Sequence, residues 1–171
     1  MNLKSSIYSL LSSNHGVTAP RRNEASFDID LMNMGATNGG TVPERYITAL
    51  ENAKNRWESI IDGGVPNRIA SDYGIADWFR DYFGGTIFDG EIDDLLIGYE
   101  FINDSSSKLK AQAGVSTRDG SRPIAGVFKV NIDWLTNEQF TDNDLTLVFT
   151  HVMGKSCTDQ RKGCLFNWCF T

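Results

Sequence analysis

Near its start the chain alternates: Phe27-Asp28-Ile29-Asp30-Leu31 sets apolar against acidic residues with the period of a half-buried strand. Asn33, Gly35, Asn38, Gly39 and Gly40 then read as a loop. Beyond it the period becomes helical. Tyr46, Leu50, Ala53, Trp57, Ile60 and Ile61 fall at i, i+4, i+7, i+11, i+14 and i+15, an apolar stripe that predicts a helix over 42–62 lying across a sheet. Thr41-Val42-Pro43-Glu44 has the spacing of a capping box, and Gly63-Gly64 ends the stripe. Between 63 and 94 no period is sustained. Glycines, aspartates and the aromatics Tyr73, Trp78, Phe79, Tyr82, Phe83 and Phe88 predict a long, partly packed loop with a helical turn at 76–82, its rings forming a satellite core. Strands are expected over 95–102, 111–117 and 124–132, with turns at Ser105-Ser106-Ser107 and Asp119-Gly120. A last helix begins near 142–144, where aspartates suit the positive helix end, and Leu145, Val148, Phe149 and Val152 form its buried stripe. Strand, long helix, strands, helix is the order of an α/β (α+β) chain: a twisted mixed sheet backed by two helices.

Composition narrows what such a fold does. The 171 residues make one domain the default, and 16 Lys and Arg against 22 Asp and Glu leave a formal charge of −6. An acidic surface repels phosphate backbones, so nucleic acid is not an expected partner. No apolar run approaches the roughly 18 residues of a membrane span, so no membrane partner is expected either. Residues 1–24 read as a mobile leader; the apolar stretch at 7–11, interrupted by Tyr8 and Ser9, is weaker than a secretory signal, which leaves localisation open. The body is 25–155. Residues 156–171 form an irregular tail containing Cys157, Cys164 and Cys169, an odd number that does not close a disulfide framework. The chain has two histidines, His15 and His151. No phosphate loop, nucleophile elbow or Cys-His pairing is present.

Two segments carry a resemblance. Arg122-Pro123-Ile124-Ala125-Gly126, followed by Thr150-His151-Val152-Met153-Gly154-Lys155, resembles the R-P-x-x-G strand and H-E-x-G-H helix of leishmanolysin-like zinc metalloendopeptidases of the metzincin group. The likeness extends over much of 25–154, including the early strand, the capped helix and Asp93-Asp94-Leu95-Leu96-Ile97. It implies the N-terminal subdomain of such a peptidase. There, two histidines four apart on one helix face hold zinc, and the adjacent glutamate takes a proton from zinc-bound water. It also implies that an extended peptide would pair with the upper edge strand of the sheet.

Against that pattern His151 holds the first ligand position, Val152 the general-base position and Lys155 the second-ligand position. Valine accepts no proton, and an ammonium one helical turn from His151 repels Zn²⁺. Where compact metzincins place a glycine and the third histidine stand Thr158 and Arg161, and the sequence given ends at Thr171 before a more distant third ligand. The expectation is therefore an incomplete, degenerate metalloendopeptidase-like domain without catalysis or cofactor, with a catalytic set of none and His151 as a remnant zinc ligand. A histidine at the polar border of a core helix is the competing reading of His151. A peptide- or protein-binding module using the sheet edge is the alternative function; an active zinc peptidase with unusual ligands is the third. Oligomeric state is left open. His151, Cys157, Cys164 and Cys169 lack the close cysteine pair of a zinc knuckle, and Asp89-Gly90-Glu91-Ile92-Asp93-Asp94 fails EF-hand spacing and is expected to be a solvated loop. If a lower half is missing, Leu145, Val148 or Phe149 should be exposed beneath the last helix.

Overall fold

The computed structural model describes residues 26–37, 41–84, 88–120 and 122–157. The expected leader and most of the tail lie outside these residues. The chain is mixed α/β. Among the described residues a four-stranded sheet has the order β1 (Ile29–Thr37), β4 (Leu95–Ile102), β6 (Arg122–Asn131), β5 (Ala111–Asp119). β1, β4 and β6 run parallel, and β5 closes one edge antiparallel to β6. Helices α1 (Glu44–Ile60) and α4 (Asp142–Cys157) pack side by side beneath one face.

The alternating strand starts two residues later than the pattern suggests and outlasts it. Gly35 takes φ +101°, and a register shift between Asn33 and Ala36 lets pairing with β4 continue to Thr37. The start of β1 is held from outside: the Ile29 N–H donates to Glu58 Oε1 of α1 at 2.8 Å, and the Asp28 N–H to Asp94 Oδ2 at 2.9 Å.

Helix α1 corrects the capping-box expectation. Its N-cap is Pro43, no side chain caps it, and the Tyr46 N–H donates to the Pro43 carbonyl at 2.9 Å. Val42 precedes a proline, which disfavours helical backbone there, so the helix starts after the ring instead of after Thr41. The stripe is buried from Tyr46 through Ala53, while Ile60 is 59% exposed and outside the core. The capping box forms instead at α4, where Thr141 and Asp144 bond reciprocally.

The two faces of the sheet differ by residue parity. Leu95, Ile97, Tyr99 and Phe101 of β4 join Phe128 and Val130 of β6 and Phe149 of α4 in the main core. Phe101, Phe128 and Phe149 are fully buried, each contributing roughly 2–3 kcal/mol by transfer from water. The expected pair of backing helices is present on this face, and the opposite face is covered as well. The segment expected as a loop forms β2 (Arg68–Ile69), a 3-10 turn (Ala70–Tyr73), α2 (Ile75–Phe83) and β3 (Glu91–Ile92). Its rings do make a satellite core, with Phe79 and Ile75 packed on Leu96, Ala125 and Val127. Left-handed glycines, Gly74 and Gly84, bound α2. Finally, the strand expected to 132 stops at Asn131. Its side chain accepts from the Asp133 N–H at 3.1 Å and opens the short helix α3 (Ile132–Asn137).

Candidate functional site

Helix α4 carries the candidate site, and its docking explains the two glycines of the resembling segments. Its first turn is fixed by Thr141 Oγ1 donating to Asp144 Oδ2 at 2.6 Å; hydrogen bonds from the Thr141 side chain and backbone hold the Asp144 carboxyl below its ordinary pKa. Arg45 of α1 bridges the helix starts, reaching Asp142 Oδ1 at 2.9 Å and the Phe140 carbonyl at 2.6 Å. Near the other end, the Trp57 Nε1–H donates to the Thr150 carbonyl at 2.8 Å. That approach needs a glycine beside it: a Cβ on Gly154 would stand 2.7 Å from Trp57 Cζ2. Ser156, fully buried, donates from Oγ to the Val127 carbonyl at 3.0 Å, and a Cβ on Gly126 would stand 2.8 Å from Ser156 Cβ. Both glycines of the resembling segments are therefore places where α4 meets a neighbouring element within van der Waals reach.

The faces of α4 are sharply different. Leu145, Phe149, Val152, Met153 and Ser156 are buried. This corrects the expectation of an uncovered underside: Leu145 and Phe149 are fully buried, Val148 is half-buried against the main core, and the large apolar residue of α4 left open is Leu147, at 46% exposure. Leu147, His151 and Lys155, spaced by four, share one stripe. His151 is exposed and Lys155 half-buried, while Val152 is 3% exposed and packs in the main core.

Zinc was the cofactor implied by the likeness, and the described residues do not fit it. A catalytic zinc takes three protein ligands. Among the described residues no three His, Cys, Asp or Glu side chains come together in a way that could hold a metal. The stripe around His151 offers an ammonium one turn away and a valine enclosed in the core. No step through a metal follows from this arrangement. His15, Thr158, Arg161, Cys164 and Cys169 lie outside the described residues, and of Cys157 only the backbone is described, at the end of α4.

The acidic run is not wholly solvated. Asp94 is 1% exposed with φ +67°, and its carboxylate accepts from the Asp28 and Val65 N–H groups. It thus ties the starts of β1 and β4 to the segment after α1. Aspartate tolerates the left-handed region better than most residues, which suits it to this corner. Its neighbours remain crowded. Burial, then repulsion from Asp94, Asp28, Asp30 and Glu91, pushes the Asp93 carboxyl up; burial does the same to Asp30 against a hydrogen bond from the Asp93 backbone.

Sequence reading also missed a charge pair on the α2 face. Lys129 Nζ lies 2.8 Å from Glu100 Oε2, donates to the Tyr82 carbonyl at 3.3 Å, and stands 4.6 Å from the Tyr82 ring centroid. Burial, and then Glu100, pushes the Tyr82 hydroxyl pKa up. The available signal was a glutamate and a lysine inside otherwise apolar strands. No helix of the described residues is long and apolar enough to cross a membrane. No family model, curated protein or solved structure matches the chain.

Proposed function

We propose that this chain is a metalloendopeptidase-like domain without hydrolytic activity. The observation that carries the reading is the environment of position 152. In the pattern the sequence resembles, that position supplies the proton acceptor. Here a valine fills it and is enclosed in the main core, while Lys155 brings a positive charge to the same helix stripe as His151. Metal analysis of the purified protein, alongside digestion of a mixed peptide library, tests this. The expected result is zinc well below one per chain and no cleavage. One tightly held zinc per chain, lost on His151→Ala, would overturn it. Lys155→His, which sets a second imidazole one turn from His151, should raise zinc affinity without producing a peptidase.

One observation favours a second reading, a peptide-binding module. β5 is the outermost strand beyond β6, and among the described residues no strand pairs along its far side. Such an edge presents backbone N–H and C=O groups to an added strand. Slowed hydrogen exchange confined to β5 amides on adding the peptide library supports that reading. Unchanged exchange at saturating peptide rejects it.

A further inference from the structure

A cleft of about 470 Å³ opens at the carboxyl ends of β4 and β6, away from the His151 stripe, and its volume lies within the roughly 300–1,000 Å³ of small-molecule sites. The fold accounts for its position. β4 and β6 are parallel neighbours that leave in different directions: β4 into the 103–110 loop leading to edge strand β5, β6 into α3 and α4. In open α/β sheets, diverging connections leave a crevice beyond the carboxyl ends, where ligands bind.

The walls are held by one buried amide. Asn131, 2% exposed, donates from Nδ2 to the Asp104 and Leu109 carbonyls at 2.8 and 3.1 Å. Its own N–H donates to the Lys110 carbonyl at 2.8 Å, and Oδ1 accepts from Asp133. Asp104 is turned to its own loop, accepting from the Ser106 N–H at 2.9 Å, Ser106 Oγ at 2.6 Å and the Ser107 N–H at 3.2 Å. What lines the cleft beside this frame is Trp134, Lys108, Lys110, Asp133 and Asn137. Lys110 Nζ stands 5.9 Å from the Trp134 ring centroid. Arg45, Lys54, Arg68, Arg80 and Lys129 are each in an ion pair, whereas neither Lys108 nor Lys110 is in one with a described residue.

We propose that this cleft binds a small aromatic carboxylate, its ring against Trp134 and its carboxylate met by the ammonium groups of Lys108 and Lys110. The pairing of a flat apolar surface with two cations that are in no ion pair with a described carboxylate, on a rim braced by Asn131, is what selects that class. Asp133 opposes the anion and limits affinity, and Asp104, which also lines the cleft, does so less because its carboxylate is engaged by Ser106 and Ser107.

The test titrates the full chain with benzoate, indole-3-carboxylate and 1-naphthoate, each beside its neutral primary amide, by calorimetry. At least one carboxylate should bind with a Kd below about 1 mM, and its amide about tenfold more weakly. The double substitution Lys108→Gln, Lys110→Gln should weaken the carboxylate about tenfold, while Asp133→Asn should tighten it about two- to threefold by removing a like charge. The amide comparison uses unaltered protein, so it does not depend on how any variant folds. Absence of saturation for all three acids, equal binding of acid and amide, or binding unchanged in the double variant would overturn the proposal.

Discussion

The two faces of the central sheet are built by different means. Beneath it, Tyr99, Phe101, Phe128 and Phe149 form a contiguous set of rings, with Phe101 and Phe149 edge-to-face at 6.1 Å between centroids, and α1 and α4 close over them. Above it, the smaller cluster around Phe79 is overlaid by the nine residues of α2, and at its margin two charges lie among the rings. The lower face is large and apolar throughout. The upper one depends on a short helix between two left-handed glycines and on an ion pair whose members are 10% and 21% exposed. Cooperative stability therefore belongs to the lower face, and local opening to the upper.

Matched truncations test this most strongly. Phe149→Ala should cost about 3–5 kcal/mol and shift the whole urea transition. Phe79→Ala removes an equally buried ring, yet its main effect should be loss of hydrogen-exchange protection in α2 and the strand pair β2–β3, with α4 amides little changed. Equal loss of protection in α4 for the two variants would show that both faces unfold as one unit.

The charge pair is a finer probe of the upper face. Lys129→Met removes the ammonium from beside Glu100 in a nearly buried place and should cost about 2–3 kcal/mol. Adding Glu100→Leu should recover most of that loss, because desolvation of two charges offsets much of their attraction. A double variant as unstable as the single one would mean that the pair contributes net stability to the α2 face.

Much of the lower face was legible in the sequence, because it is written in periods. The alternation at 27–31, the stripe Tyr46-Leu50-Ala53 and the run Leu145-Phe149-Val152 report burial directly. The upper face was not, since α2 is too short for its pattern to stand out, and its caps are glycine conformations instead of a polar cap signature. The capping box was misplaced for a local reason, the pre-proline restriction at Val42, while Thr141 and Asp144 carried the same geometry with aspartate in place of glutamate. Of the candidate site, the helix and the exposure of His151 were readable. The reason for Gly126 and Gly154 was not, because it lies in Ser156 and Trp57, one of them nearly a hundred residues from its partner. The Asn131 frame of the cleft was equally hidden, since it joins backbone groups that no period marks.

The smallest expected effect separates the faces by pH. Asp30 lies level with Leu96 in the sheet register and so belongs to the upper face, and the adjacent Asp93 shares its raised pKa. A carboxyl whose folded pKa exceeds its unfolded value binds protons more readily when folded. Its contribution is therefore most favourable below about pH 4 and is lost as pH rises through the raised value. Asp144, at the start of α4 on the lower face, is shifted the other way by the Thr141 hydrogen bonds. Its stabilisation is present above the unfolded pKa and is lost as pH falls through the lowered one. Asp93→Asn should thus raise Tm near pH 7, with the gain fading toward about pH 3, because burial of the Asp93 charge and its repulsion from Asp94, Asp28, Asp30 and Glu91 oppose folding only where Asp93 is ionised. Asp144→Asn keeps the cap geometry but loses its charge, so it should lower Tm near neutrality, with the loss shrinking over the same range. A Tm at neutral pH that falls for Asp93→Asn would show that the upper-face carboxylates are held by favourable contacts instead of crowded against one another.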